Sequence, residues 1–418
     1  MSVLLRRLDH MRTSWLAVGL AAFASLSCTA PPSAPSGPMP PPRFDAATVS
    51  RGARLAAMGN CVSCHTAPGG KPFAGGYALK TQFGTVHGTN ITPDPQTGIG
   101  RWTLDDFTRA LREGLSPEGH HYYPAFPYDY FTRLADEDVA ALYAFVMTRE
   151  AIHADTPANH MLVPRAAVAI WKSKYFEPGR FRPDPSHDAR WNRGAYLAES
   201  LAHCSACHTP RTVLGGEKRD QYMAGGEAGG WHAPALNRDS PSPRAWTERS
   251  LNIYLSTGLT DGHAITAGPM AGVVHNLAHA SHDDVSAVSH YVAFLMQGAR
   301  GSAASSAANA AREHPRGAAI YAGACADCHD RGRAAEGGAL ELRDAVALAL
   351  PTPSNLIHIV RDGIIPREHD AQPWMPAFSG AFTAEQTTEL VQYLRSLSGK
   401  PAWPDVAGEV RRIEGDSR

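Results

Sequence analysis

Long apolar runs are what this sequence lacks. After residue 30 no stretch of about 18 apolar residues occurs, so no membrane-spanning helix is expected beyond that point. Excess charge is also missing: 39 Lys and Arg against 40 Asp and Glu leave a net charge of -1. That balance gives no electrostatic case for nucleic acid or for direct attraction to an anionic membrane. Cysteine is scarce, with seven in 418 residues. Six of them stand in three close pairs and only Cys28 is left over, so there is no disulfide framework to build. No nucleophile, acid/base pair or substrate-cleft motif is evident either.

What is present is one five-residue pattern, three times. Cys61-Val62-Ser63-Cys64-His65 returns as Cys204-Ser205-Ala206-Cys207-His208 and as Cys325-Ala326-Asp327-Cys328-His329. C-x-x-C-H is the attachment sequence of c-type haem. Two thiols two residues apart form thioethers to the two vinyl groups of one porphyrin, and the next residue brings its imidazole to the iron as proximal ligand. A lone C-x-x-C could be half a zinc site or a redox dithiol. Zinc, however, needs a second Cys or His pair at ligand spacing, and redox dithiols follow a strand in a βαβ unit. Three copies behind three similar helices favour three covalently bound haem c groups. The length fits about three domains.

At the N-terminus, Arg6, Arg7 and Arg12 precede an apolar run from Trp15 to Leu26, the pattern of an export signal over residues 1–30. Export suits haem, whose covalent attachment takes place outside the bacterial inner membrane. Cys28 is either lipidated or an untouched or removed cysteine; Leu26 stands one place later than a lipobox requires. Residues 31–42, rich in Pro, Ser and Gly, read as an extended linker.

An internal repeat organises the rest. A helix begins near Gly52, Gly194 and Gly317, and the first cysteine follows each glycine by eight to ten residues. Each repeat closes with an amphipathic helix, over residues 134–147, 284–296 and 383–397. Between them a third helix starts near Thr103, Thr247 and Pro353 and stops at Gly114, Gly258 and Gly363, with Thr103 and Thr247 as N-caps. Twelve residues beyond those glycines stand Phe126, Met270 and Met375.

Thioether sulfur is a soft donor that favours ferrous iron, so Met270 and Met375, in irregular Pro-rich loops, are the expected sixth ligands of the second and third haems. Phe126 cannot ligate iron. For the first haem three alternatives stand: Met147, a loop histidine (His120, His121 or the more distant His87), or an open iron. Against Met147, Met296 follows a similar Ala-Phe-Leu in the second repeat, which already has Met270. Asn90 and Asn237 read as loop-forming residues, and Trp102 and Trp246 as core packing.

With these residues in view the chain resembles the triple-haem cytochrome c subunits of bacterial membrane-associated dehydrogenases. The most specific pieces are Cys64-His65-Thr66-Ala67-Pro68-Gly69-Gly70, Phe73-Ala74-Gly75-Gly76, Thr89-Asn90-Ile91-Thr92-Pro93-Asp94, Thr97-Gly98-Ile99-Gly100 and Ala206-Cys207-His208-Thr209-Pro210-Arg211. Pro124-Ala125-Phe126-Pro127-Tyr128-Asp129 resembles the branch paired with molybdenum hydroxylases of the nicotinate, isoquinoline and aldehyde oxidoreductase kind; the alcohol and gluconate branch has Met where Phe126 stands. The resemblance implies axial roles for His65, His208, His329, Met270 and Met375. It implies an all-α fold of three consecutive class I cytochrome c-like domains, residues 43–160, 189–300 and 312–400, with linkers at 161–188 and 301–311 and a charged, solvated tail at 401–418. It further implies a dehydrogenase catalytic subunit as electron donor and ubiquinone or a terminal oxidase as acceptor. The expected location is the periplasm, at the inner-membrane surface through the complex or an N-terminal anchor. Two other readings remain: partnership with a flavin- or PQQ-dependent dehydrogenase, and a peroxidase-like haem enzyme using an open first haem.

Overall fold

Apolar residues at three- and four-residue steps become helices throughout the computed structural model, which describes residues 43–260, 264–299, 307–330, 341–366 and 374–415. The export signal, Cys28 and the Pro-rich linker lie outside the described residues. The structure is 47% helix and 8% strand. In chain order the longer helices are α1 (Ala46–Met58), α2 (Leu104–Glu113), α3 (Asp136–Met147), α4 (Ala167–Tyr175), α5 (Ala189–Glu199), α6 (Glu248–Thr257), α7 (Pro269–Leu277), α8 (His282–Leu295), α9 (Ala307–Glu313), α10 (Pro315–Ala324), α11 (Ser354–Asp362), α12 (Ala384–Leu397) and α13 (Val406–Gly415).

Local chemistry sets the ends of these helices. Thr103 and Asp106 close a reciprocal capping box on α2, at 3.1 and 3.0 Å, and Thr247 and Ser250 do the same on α6, at 3.1 and 2.9 Å. The three stop glycines all take positive φ, 59° at Gly114, 81° at Gly258 and 70° at Gly363, where a side chain would be strained. The glycines near the expected starts of the first helices lie instead inside α1, α5 and α10. Packing explains why: a Cβ on Gly52 would overlap the Ala141 carbonyl of α3, one on Gly194 the Ala287 carbonyl of α8, and one on Gly317 the Glu389 carbonyl of α12. Each first helix is crossed by its closing helix at a residue with no side chain.

Short strands, absent from the all-α expectation, fill the loops after the cysteine motifs. Strands β1 (Ala78–Thr81) and β2 (Gly84–His87) pair antiparallel, with Leu79 opposite Val86, and β2 also pairs with β3 (His160–Met161). Strands β4 (Gly226–Ala228) and β5 (Trp231–Ala233) form a second hairpin, and β6 (Leu259–Thr260) with β7 (Ala264–Ile265) a third.

Two segments read as linkers and one read as a solvated tail are packed into the structure. The 161–188 linker contains α4, whose Val168 is buried. Within the 301–311 linker, residue 307 onward is helical, and Ala310 is buried against the third helix pair. The charged tail is a further correction. Trp403, Val406, Val410 and Ile413 lie on one face and are at most 6% exposed, while the charges face outward. Arg395 lies 4.3 Å from the Trp403 ring centroid and donates to the carbonyls of Leu348, Leu350 and Pro401.

Among the described residues two hydrophobic cores result. One runs from Leu55 to Met296 and merges the α1/α3 and α5/α8 pairs. The other, Ala310 to Ile413, belongs to α10, α12 and α13. Buried Asp138 ties the first core together. It accepts Arg51 at 2.9 and 2.5 Å and the Tyr196 hydroxyl at 2.7 Å, and Arg193 lies 3.8 Å away.

Candidate functional site

Each C-x-x-C-H lies on a one-turn helix just after the crossed helix: Cys61–Cys64, Ser205–His208 and Ala326–His329. Asn60 and His203, immediately before the first two motifs, take left-handed backbone (φ 53° and 38°) and turn the chain out of the helix. The first cysteine of each motif is partly buried against a core and the second is exposed. His65 Nδ1 lies 2.6 Å from the Thr89 carbonyl, and His208 Nδ1 lies 2.7 Å from the Pro234 carbonyl. Such a bond fixes the tautomer and leaves Nε2 for iron. The carbonyls of His65 and His208 accept from the Gly75 and Gly225 amides at 2.8 Å, so the two turns are braced alike.

Thiol acidity separates the alternatives. Burial, reinforced by the neighbouring cysteine, pushes the Cys61 and Cys204 thiols up to about 12 and Cys325 up to about 11. Thiols raised in this way are poor nucleophiles, which argues against a redox dithiol. Among the described residues no group of three or more His, Cys, Asp or Glu is arranged to hold a metal ion. Paired thiols beside an imidazole, with one nitrogen already committed in His65 and His208, fit covalent haem and its iron.

Beyond the stop glycines the structure separates residues that the count of twelve had aligned. The bridge after the stop glycine pairs Leu115 with His121, Leu259 with Ile265, and Ile364 with Met375. Met375 therefore occupies the register place of His121 and Ile265, because the third loop is five residues longer. Met270 is not in an irregular loop: it sits in the first turn of α7, after Gly268 and Pro269, and packs on the shared core. Phe126 is held in an aromatic box, 5.7 Å from the Tyr122 ring, 6.4 Å from Tyr128 and 5.8 Å from Phe131.

Of the substitutes, Met147 ends α3, half-buried against the shared core. The comparison with Met296 fails. The crossings superpose Ala141 and Phe145 on Ala287 and Tyr291, so Met147 matches Ala293 and Met296 lies three residues farther on. His120 is exposed. His121 Nδ1 lies 2.9 Å from Lys172 Nζ; burial and that ammonium lower its pKa, and burial brings Lys172 itself down to about 8. His87 Nδ1 is buried without a hydrogen-bond partner.

The first two sites abut. Asn276 of α7, buried, donates from Nδ2 to Asn60 Oδ1 and, at 3.1 Å, to Ser63 Oγ inside the first motif. Cys207 lies close enough to Cys64 that, after burial, its charge helps to raise the Cys64 thiol. Sequence reasoning missed Asn276, and also the Thr89 and Pro234 carbonyls, since a backbone acceptor leaves no residue signature. Asn90 turns out to be a buried loop hub, donating to Thr97 Oγ1 and the Ile152 carbonyl, and Trp102 and Trp246 pack against the core as expected.

Paired thiols, a carbonyl-steered imidazole and a helix crossing behind them define a c-type cytochrome. The family model "Cytochrome c" matches residues 49–150, and that of "Cytochrome C oxidase, cbb3-type, subunit III" matches residues 312–394. The chain is 41% identical over 411 residues to a nicotinate dehydrogenase subunit of Pseudomonas putida, covering 95% of this chain but 34% of that relative, so it spans about a third of that protein's length. It is 34% identical to the fructose dehydrogenase cytochrome subunit of Gluconobacter japonicus (89% of this chain, 83% of the relative) and 36% identical to the gluconate 2-dehydrogenase cytochrome c subunit of Pantoea cypripedii (85% and 87%). The chain belongs to the family of dehydrogenase cytochrome c subunits, whose work is electron transfer.

Proposed function

We propose that this chain is a triple-haem cytochrome, with class I-like domains at residues 43–160, 189–300 and 312–400. One haem is covalently held at each of Cys61/Cys64, Cys204/Cys207 and Cys325/Cys328, with His65, His208 and His329 as proximal ligands. The observation that carries this reading is the recurrence, three times, of a C-x-x-C-H turn behind a helix whose glycine is crossed by a later helix. Haem supplies an iron that takes up and gives back one electron. The protein anchors the porphyrin edge through two thioethers, steers the imidazole from a backbone carbonyl, and packs apolar side chains where water would otherwise enter. Met270 and Met375 complete the second and third sites and raise their potentials.

At the first site the aromatic box around Phe126 favours a second reading, an open iron able to bind a small ligand such as peroxide; Met147 and the loop histidines are its competitors. Substrate electrons come from a dehydrogenase subunit of the molybdenum hydroxylase type, a choice supported by the nicotinate dehydrogenase relative and by the Pro124–Asp129 segment. They leave to ubiquinone or a terminal oxidase. Arg6, Arg7, Arg12 and the apolar run to Leu26 support a periplasmic location at the inner-membrane surface.

The test is haem per chain, by mass spectrometry and the pyridine haemochrome spectrum of the exported protein. Three haems are expected in the wild type, and one fewer when Cys204 and Cys207 are both changed to Ala. A wild-type chain carrying two would end the three-site reading.

A further inference from the structure

Trp231 opens β5 and stands between two groups that belong to different cores. On one side its indole stacks on the His358 imidazole of α11, with centroids 4.9 Å apart and planes 18° from parallel. On the other it fills the space where a Cβ on Gly268 would be, so the N-terminal turn of α7 closes directly over the indole. One turn of α11 earlier, Asn355 clamps the next residue of β5: its Oδ1 accepts from the His232 amide at 2.7 Å and its Nδ2 donates to the His232 carbonyl at 2.9 Å. A side-chain amide thus does what a neighbouring strand would do, and it fixes both the distance and the rotation of α11 against β5.

Both ends of this joint lead to groups expected at the irons. From Trp231 the chain runs three residues to Pro234, whose carbonyl orients His208. The turn over the indole carries Gly268, Pro269 and then Met270. On the far side α11 ends at Gly363, and Ile364 exchanges two backbone hydrogen bonds with Met375, at 3.0 and 2.9 Å. Helix α11 is held from behind by α13, through Ser354 to Glu409 at 2.6 Å and Arg361 to the Ile413 carbonyl at 2.5 Å, so it acts as a strut that does not move alone. One outlying ion pair, Arg244 to Asp344 at 2.5 Å, also spans the two cores, but Arg244 is 59% exposed and the pair contributes little.

We propose that Trp231, stacked on His358 and backed by the Asn355 clamp, is the positioning residue that holds the second and third haem sites in register for direct electron exchange. The proposal rests on the reading of those two motifs as haem sites. In the step it serves, one electron leaves the ferrous iron of one site, which becomes ferric, and reduces the ferric iron of the other; no bond is made or broken and no proton moves. The indole is neither oxidised nor reduced.

The experiment uses the full-length holoprotein with Trp231→Leu, Trp231→Phe and His358→Ala. Three quantities are read: haem potentials with low-spin spectra, amide hydrogen exchange over 354–362, and electron redistribution among the haems after flash photoreduction. In Trp231→Leu the potentials and low-spin spectra are expected to hold. Exchange over α11 should quicken by about tenfold, equivalent to about 1.4 kcal/mol and in line with the loss of an aromatic pair. Redistribution between the second and third haems should slow severalfold. His358→Ala should behave alike, and Trp231→Phe should restore most of both effects. If Trp231→Leu redistributes electrons as fast as the wild type, the proposal falls while the relay stands. If the second haem's potential shifts and exchange over α11 does not, Trp231 acts on Met270 alone and the proposal is overturned. If the wild type itself lacks one of the two haems or moves no electron between them, the relay reading falls together with the proposal.

Discussion

Asp138 is the point at which the merging of the α1/α3 and α5/α8 helix pairs into one core can be tested by one substitution. Its carboxylate is 1% exposed and receives Arg51 through two nitrogens, at 2.9 and 2.5 Å, together with the Tyr196 hydroxyl at 2.7 Å. Asp138→Ala takes away the acceptor of the Tyr196 hydroxyl, which still accepts from the Ala135 amide at 3.1 Å, and removes the counter-charge from Arg51. Arg193, 3.8 Å away, keeps Asp284 as its partner at 2.7 Å. Breaking a fully buried pair costs about 3–5 kcal/mol. The Arg51 side chain is 45% exposed and can turn to water, so the lower end, about 3 kcal/mol, is the expected loss. Asp138→Asn, which keeps an acceptor for Tyr196, should lose about half of that. The assay is urea unfolding of the holoprotein followed at the Soret band and by circular dichroism. Because the cores are separate, the transition of the Leu55–Met296 core should move and that of the Ala310–Ile413 core should stay. A loss under about 1 kcal/mol, or equal movement of both transitions, would refute the reasoning.

Three further outcomes are expected. Met147→Leu, measured by EPR and magnetic circular dichroism of the oxidised protein, converts one low-spin haem to high spin if Met147 is the first site's sixth ligand; with the site open, one haem is high-spin from the start and the variant matches the wild type. Glu409 is held at about 2 against an ordinary 4.5, chiefly by Arg412 with help from Ser354 and against its partial burial. A carboxyl lowered on folding adds stability above its unfolded pKa and loses it as pH falls through the folded value, so the margin of wild type over Glu409→Gln in thermal unfolding should shrink from pH 4.5 towards about 2. Gly194→Ala forces a methyl into the Ala287 carbonyl and should cost about 1–3 kcal/mol, read as a lower urea midpoint with unchanged haem content.

The local rules were legible in the sequence. Thr103 and Thr247 cap where their side chains require it, the stop glycines are left-handed where the chain must reverse, and the C-x-x-C-H motifs fall on turns behind helices. What escaped was set by distant contacts. The hairpins are strands of two to four residues, too short for an alternating pattern to register. The tail's Val406, Val410 and Ile413 do lie at helical spacing, but Glu409, Arg411 and Arg412 between them gave the stretch a solvated look. Counting twelve residues from each glycine aligned Met375 with Met270 by coincidence, since the third loop is longer and the backbone pairing places Met375 elsewhere. The match of Met147 with Met296 failed for a similar reason: a shared Ala-Phe is weaker evidence of register than the glycine that the helix crosses. The site itself was half legible. Its thiols and imidazoles stood in the motif, while Thr89 and Pro234 act through carbonyls that any residue carries, and Asn276 comes from a helix more than two hundred residues away from its partners.

The measurement that bears most directly on the account is a spectroscopic redox titration of the purified holoprotein with the electrons counted coulometrically. Three one-electron steps per chain are expected, two of them at the high potentials of His/Met haems. Uptake of two electrons, or two low-potential haems among the three, would contradict the three-site electron carrier with Met270 and Met375 at its irons.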